Sequence, residues 1–300
     1  MAINRAQLAK ELEPGLNALF GLEYARYENE AAQIFEQESS DRAFEEEVML
    51  VGFGQANVKA EGSAIGFDTA SESFTARYVH DTIALAFALT EEAVEDNLYD
   101  TLSARYTKAL ARSMAYTKQV RGANVLNDAF TVAGGDGVSL INTAHPTALG
   151  GNFSNRSATD ADLNETSLEQ AMIDIAGFID ERGLKIAMKG QKLILPVNSQ
   201  FIADRILEST LRVGTADNDI NAMKNMGMLP GGYTVNHYLT DTDAWFVKTD
   251  CPNGFKHFVR AALATGMEGD FDTGNMRYKA RERYSFGYSD PRAAYGSAGS

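Results

Sequence analysis

The chain of 300 residues is 44% hydrophobic with a formal net charge of −14, which supplies a sizeable core, expected in two lobes, and excludes a disordered polyelectrolyte. Residues 1–100 hold 20 acidic and 6 basic side chains while residues 101–300 hold 21 of each, so a basic footprint for tight nucleic-acid binding is excluded too. The single cysteine, Cys251, rules out an intrachain disulfide and fits a reducing compartment; no apolar run is long enough to cross a membrane, and the N-terminus lacks the apolar core of a signal peptide.

In chain order, Ala2 to Tyr27 predicts short helical pieces broken at Pro14-Gly15, followed by a polar stretch to Ser40. This reads as an arm rather than a core. Asp41 to Val51 climbs into an apolar strand, and the run through Gly52, Gly54, Gly62 and Gly66 carries few bulky side chains. The chain returns along His80 to Leu89, where Ile83, Leu85, Phe87 and Leu89 alternate with small residues. Strand, glycine-rich excursion and strand describe an extended hairpin loop, of a length that in a compact domain signals function or ordering by a neighbour.

Thr90 to Gly122 reads as one long helix. Thr90 is placed to cap it, Glu91 and Glu92 suit the positive end of the peptide dipoles, and Gly122 is the expected stop. Val94, Leu98, Leu102, Tyr106, Ala109, Ser113, Thr117 and Val120 recur at helical spacing as its expected packing stripe. A helix of about 45 Å is several times the usual length and reads as a structural spine.

Beyond it, Gly-rich turns lead through Ile141–Asn155. A helix is expected over Leu168–Arg182, with Thr166 and Glu169 at capping-box spacing and Gly183 as its end. A strand follows in KLILPVN and a helix around Gln200–Thr210. Strand patterns return in YTVNHYL, AWFVKT and FKHFVRAAL, and the tail from Asn275 is aromatic, basic and alternating.

Chemical motifs fail on context. GFGQAN after Val48–Val51 imitates a dinucleotide-binding turn, but Asn57 stands at the third glycine position and no helix follows. Gly134-Gly135-Asp136-Gly137 lacks the lysine and hydroxyl of a phosphate loop and reads as a turn. Asp272-Thr273-Gly274 matches half of an aspartic-protease pair, leaving a dimeric acid protease as the alternative of another class. Glu268, Asp270 and Asp272, with Asp217 and Asp219, read as a solvated acidic loop rather than a cation site, and Asp160, Asp162 and Asn164 as helix entry rather than a calcium loop. His80, His145, His237 and His257 show no metal-ligand spacing with Cys251, and no GxSxG motif is present.

The order of features resembles the major capsid proteins of tailed bacteriophages, the shell fold named after phage Hong Kong 97. The likeness is carried by KAEGSAIGFD in the loop, ALTEEAVEDNLYDTL opening the spine, ANVLNDAF closing it, INTAHPTALGGNFSN, the KLILPVNSQFIADRIL unit and the tail RYKARERYSFGYSDPRAAYGS. The resemblance implies an α+β subunit with an N-terminal arm (1–44), an extended hairpin loop (45–80), a peripheral domain (81–125 and 246–285) around a spine helix 91–121, and an axial domain (126–245 and 286–300). It implies hexamers and pentamers of the chain itself in an icosahedral head, and no catalytic, cofactor or metal residues. The contact candidates are Phe53, Lys59, Glu61, Phe67, Glu92, Arg105, Arg112, Arg281 and Arg283. With no room for an N-terminal scaffold region, and Met1 in place, a separate scaffolding protein is expected, together with portal and decoration partners, DNA enclosed without sequence-specific contacts, no membrane, and assembly in the host cytoplasm. Some members join a loop lysine covalently to a neighbour's asparagine, which makes Lys59 a candidate. An encapsulin-type nanocompartment shell is the alternative of the same fold.

Overall fold

Two four-stranded sheets, a projecting hairpin and one long helix organise the chain. The computed structural model describes residues 5–90, 92, 99–212, 219–270 and 274–300. The first sheet sets β1 (Glu36–Ser39), β10 (Phe255–Gly269), β11 (Met276–Tyr288) and β4 (Asp81–Leu89) side by side in that order; β1 runs parallel to β10, and the other pairs are antiparallel. The second sheet has the order β12 (Ala294–Ser297), β9 (Trp245–Thr249), β7 (Gly190–Leu195) and β8 (Tyr233–Val235). Strands β2 (Phe44–Val51) and β3 (Ser71–Val79) form the hairpin, and β5 (His145–Pro146) pairs with β6 (Asn152–Phe153). With helices α1 (Arg5–Arg26), α2 (Tyr99–Asn127), α3 (Glu165–Ala176), α4 (Gln200–Glu208) and α5 (Ala222–Met226), the architecture is α+β.

Period-two alternation builds both sheets. Leu193 and Leu195 of β7, Trp245 and Val247 of β9 and Tyr295 of β12 face α3 and α4, joining Leu168, Met172, Ile175 and Ala203. The intervening Ile194, Phe246 and Ala294 face the other way, onto Ile34, Phe35, Leu126, Leu140 and Phe255. Both faces are dry, which is why these strands read as nearly continuous apolar runs. Each leucine, isoleucine, valine, methionine or phenylalanine among them contributes about 1.5–3 kcal/mol of burial.

Helix α2 crosses the first sheet and takes α1 on its flank. Leu110, Ala111 and Met114 meet Tyr278 and Ala280 of β11 and Leu16 and Phe20 of α1. This corrects the expected stripe: Ser103, Thr107, Gln119 and Ala123 are buried, whereas Tyr106 is 48% exposed. Hydrophobic periodicity misses the face because part of it is polar; Gln119 accepts from Ala31 N at 3.0 Å and donates to Asn29 at 3.0 Å. The side chains of Val94, Leu98 and Leu102 and the helix entry lie outside the described residues.

Three expected boundaries move. Gly122 does not stop the helix, which continues to Asn127; it is instead a point of close approach, where a Cβ would stand 2.9 Å from the Ala31 Cβ. Pro14 lies inside α1, a single helix rather than two pieces, because packing on α2 and β11 outweighs the ~3 kcal/mol that an interior proline costs. Helix α3 ends at Ala176, and its capping box is Asn164 with Ser167 rather than Thr166 with Glu169. The same Asn164 accounts for the acidic run before it as helix entry, and Asp160 is taken up by Arg156.

Candidate functional site

The hairpin is the segment whose apolar side chains have least cover. The returning strand is β3, not His80–Leu89, which instead pairs with β11 as β4. One residue, His80, separates them. Its ring sits between Ser40 Oγ (2.9 Å) and Ser285 Oγ (3.0 Å), and burial, then Arg283, hold it below its ordinary pKa.

The hairpin's stem is locked to the first sheet through a buried amine. Lys256 Nζ lies 2.8 Å from Glu38 Oε1 and 2.5 Å from Glu47 Oε1, with its side chain 4% exposed. Burial opposes that charge, but the two carboxylates outweigh it and raise its pKa. Glu47 also accepts from the Ser289 hydroxyl, which lies against the Tyr78 hydroxyl of β3.

The neck is clasped to the turn after α3. Arg182 Nη1 reaches Asp68 Oδ2 at 3.1 Å and its other amine reaches the Thr69 carbonyl. Asp68 Oδ2 also accepts from Gly54 N at 2.7 Å, drawing both arms of the loop together. Backbone donation from Gly54 and Thr69, and then Arg182, hold this carboxyl below its usual range. Beyond the clasp, residues 55–67 are exposed throughout, including Val58 and Phe67 at 101% and 99%, with Phe53 at 64% and Ile65 at 70%.

The expected contact residues fall into separate patches. Phe53, Lys59, Glu61 and Phe67 share the hairpin tip. Arg105 and Arg112 are exposed on α2, where Arg112 and Lys108 border a groove of about 420 Å³ shared with Glu23 and Tyr27 of the α1 region. Arg281 is exposed on the sheet face away from α2, while Arg283 beside it is partly covered and donates to the His80 carbonyl at 3.3 Å. Glu92 is exposed, and the residues around it are outside the described set.

Sequence reasoning missed Lys256, Arg182 and Arg292. Arg292 is the most connected of them: it donates to Glu181 at 2.9 Å and to the Ile179 carbonyl at 2.7 Å, and lies 4.2 Å over the Phe153 ring. Its only signal is the Asp290-Pro291 turn before it, which carries no mark of the partners in the segment 179–181.

The chemical alternatives gain no geometry. Asp272, on which the acid-protease reading depends, lies outside the described residues, as does Asp217. His145 is buried in a hydrogen-bond chain with Asp136 (2.6 Å) and Asn155 (3.1 Å). Gly134–Gly137 closes a turn through Gly137 N to Gly134 O at 3.2 Å. Among the described residues no cluster of His, Cys, Asp or Glu could hold a metal ion, and no helix is long and apolar enough to cross a membrane.

Comparison with known proteins gives a consistent answer. A family model described as phage capsid protein matches residues 73–297. Among curated proteins no sequence matches. Of solved structures, the capsid of Myoviridae phage XM1 is similar at 12% identity and a TM-score of 0.56, covering 89% of each chain. Mycobacterium phage Che8 is similar at 16% identity and 0.55, again with 89% of each chain covered. A virus-like particle from Pyrococcus furiosus is similar at 10% identity and 0.57, covering 94% of this chain and 97% of its own. At these identities the likeness is one of fold.

Proposed function

Because this chain belongs to the phage capsid protein family, we propose that its working surfaces are contacts between copies of itself rather than a pocket. It is a major capsid protein of the tailed-phage type, a structural subunit of an icosahedral head shell, and its place is the virion capsid. The observation that carries the surface assignment is the hairpin tip, where Phe53, Val58, Ile65 and Phe67 stand in solvent on an arm fastened at stem and neck. Monomers rarely expose such a run; it has a use when a neighbour covers it.

Copies join as hexamers and pentamers, in which closed symmetry repeats each modest contact many times. The subunit divides into an arm (1–44), a loop (45–80), a peripheral domain (81–125 and 246–285) and an axial domain (126–245 and 286–300). A separate scaffolding protein guides closure in the host cytoplasm, and portal and decoration proteins complete the head. DNA is enclosed without sequence-specific contacts, in keeping with the net charge of −14, and the chain has no catalytic role. An encapsulin-type shell would use the same fold, but the match to phage capsid proteins over residues 73–297 favours the virion.

Negative-stain electron microscopy and size-exclusion chromatography, with and without a co-expressed scaffolding protein, test this. Closed shells or uniform hexamers and pentamers are expected. A stable monomer or dimer under every condition overturns it.

A further inference from the structure

Of the outer strands of the two four-stranded sheets, all but one are guarded against pairing with another chain. Strand β1 closes one side of the first sheet with Glu36 and Glu38, and β12 and β8, at the sides of the second, are only four and three residues long. Charge and shortness are the usual protections of an open edge. Strand β4 has neither. It runs for nine residues, about 30 Å, and after Asp81 the run Thr82-Ile83-Ala84-Leu85-Ala86-Phe87-Ala88-Leu89 holds no charge, glycine or proline. Strand β11 pairs with one side of it and, among the described residues, no backbone hydrogen bond reaches the other.

The two faces of this strand leave room for a neighbour. Ile83, Leu85 and Phe87 lie on the α2 side, opposite Glu282, Ala280 and Tyr278 of β11. Ile83 and Phe87 pack with Leu110 and Met114, but Leu85 between them is 46% exposed, so α2 leaves the middle of the edge uncovered. On the other face Ala84, Ala86 and Ala88 are exposed and present only methyl groups to an approaching strand. The run is also its own antiparallel complement. Opposed residues in an antiparallel pair share a face, and a two-fold axis at Leu85 sets Leu85 beside the partner's Leu85, Ile83 beside the partner's Phe87 and Ala84 beside the partner's Ala86.

We propose that β4 pairs antiparallel with β4 of a second copy about a two-fold axis at Leu85, joining two first sheets into one of eight strands. The inference rests on the assembly reading. Neighbours around a five- or sixfold ring meet through unlike surfaces and cannot set a strand against itself, so the contact belongs to the two-fold axes that an icosahedral shell places between its rings. The exposed cations Lys279 and Arg281 of the two copies oppose it only weakly. Three strand spacings put the rows roughly 14 Å apart, beyond the Debye length of about 10 Å at 0.1 M salt.

The test uses the full-length chain. Leu85→Lys and Leu85→Glu are expressed separately and together; shell yield is read by sedimentation and negative-stain microscopy, and folding by thermal unfolding. Each variant alone sets like charges face to face and is expected to lower the yield about tenfold or more, because every shell repeats the contact many times. The co-expressed pair sets lysine against glutamate and is expected to raise the yield about threefold or more above either alone. Leu85→Cys gives a second reading. Opposed residues have Cα atoms about 4.5–5.5 Å apart, within disulfide reach, so mild oxidation is expected to give a two-chain band that the wild type, with Cys251 alone, does not. Wild-type yields in the charged variants overturn the proposal and leave the assembly reading intact. Loss in both without recovery in the mixture, or intact Leu85→Cys shells without the crosslink, also overturns it and assigns the edge to a different segment. Should the charged variants unfold, the crosslink alone decides. A wild type that never exceeds a dimer overturns the assembly reading, and the crosslink in that dimer then upholds the strand pairing or, by its absence, overturns it.

Discussion

Arg292 and Glu181 meet at 2.9 Å with side chains only 3% and 6% exposed, so a cation of the C-terminal segment is paired out of water with a carboxylate of the turn after α3. Glu181 also accepts from Ala148 N at 2.8 Å, and the pair thereby ties three distant segments together.

Removing one partner of such a pair leaves a buried charge. Arg292→Ala is expected to destabilise the unassembled subunit by about 3–5 kcal/mol. Arg292→Lys should also destabilise it, because a single amine cannot serve Glu181, the Ile179 carbonyl and Asp290 at once. Denaturant unfolding of both variants checks this; a Lys variant as stable as the wild type contradicts it.

His257 gives a pH dependence. Burial, and then Lys118, lower its pKa to about 4; it stacks on Phe286 with ring centroids 4.2 Å apart, and its Nε2 has no partner. The unfolded chain takes up this proton near pH 6.5 and the folded chain only near 4, so the unfolded state binds more protons in between. The contribution is fully present above pH 6.5 and is lost as pH falls toward 4, on the order of 3 kcal/mol. Glu282, raised by burial despite Lys118, titrates with the opposite sign, so the difference between wild type and His257→Phe isolates the effect. The variant should lack this part of the acid slope in thermal unfolding between pH 4 and 6.5.

Gly122→Ala sets two effects against each other. Alanine gains about 1 kcal/mol of helix propensity, but its Cβ would stand 2.9 Å from the Ala31 Cβ, which is fixed to backbone. Overpacking of this kind costs about 1–3 kcal/mol, so net destabilisation is expected. Ala31→Gly on top of it should recover most of the loss, and equal melting temperatures for all three chains would refute the argument.

Trypsin reports on the clasp. Lys59 is exposed in the loop, and Asp68→Ala removes the carboxylate that gathers Gly54, Thr69 and Arg182. Cleavage after Lys59 in unassembled subunits should accelerate roughly two- to fivefold, as for the loss of one exposed ion pair with its hydrogen bonds. Unchanged cleavage would mean that the loop is already open at its neck.

Much of the fold was legible because its signals are local. Alternation announced β4, β9 and β11, the apolar run announced β7, and a long uninterrupted helical stretch announced α2. The errors came where a distant segment decides. Gly122 reads as a stop until Ala31 is seen against it, and Pro14 reads as a break until α1 is seen packed on α2. Strand β3, with Ser71, Glu72 and Ser73 at its start, looks polar, so the more apolar β4 took its place as the return strand. The exposed tip with Phe53 and Phe67 was readable from glycine spacing and the scarcity of bulky residues. Lys256 and Arg292 were not, since a buried cation looks like any other until its carboxylates, far away in sequence, arrive beside it.

The two fastenings of the hairpin leave only residues 55–67 unrestrained. A short tether explores a small volume, so under the proposed contact little freedom would remain to be lost on capture by a neighbour. Capture can then be weak enough to reverse quickly, and a misplaced subunit can detach before the ring around it closes. Lengthening this stretch with a few glycines would widen the search and, with no contact altered, raise the fraction of malformed particles.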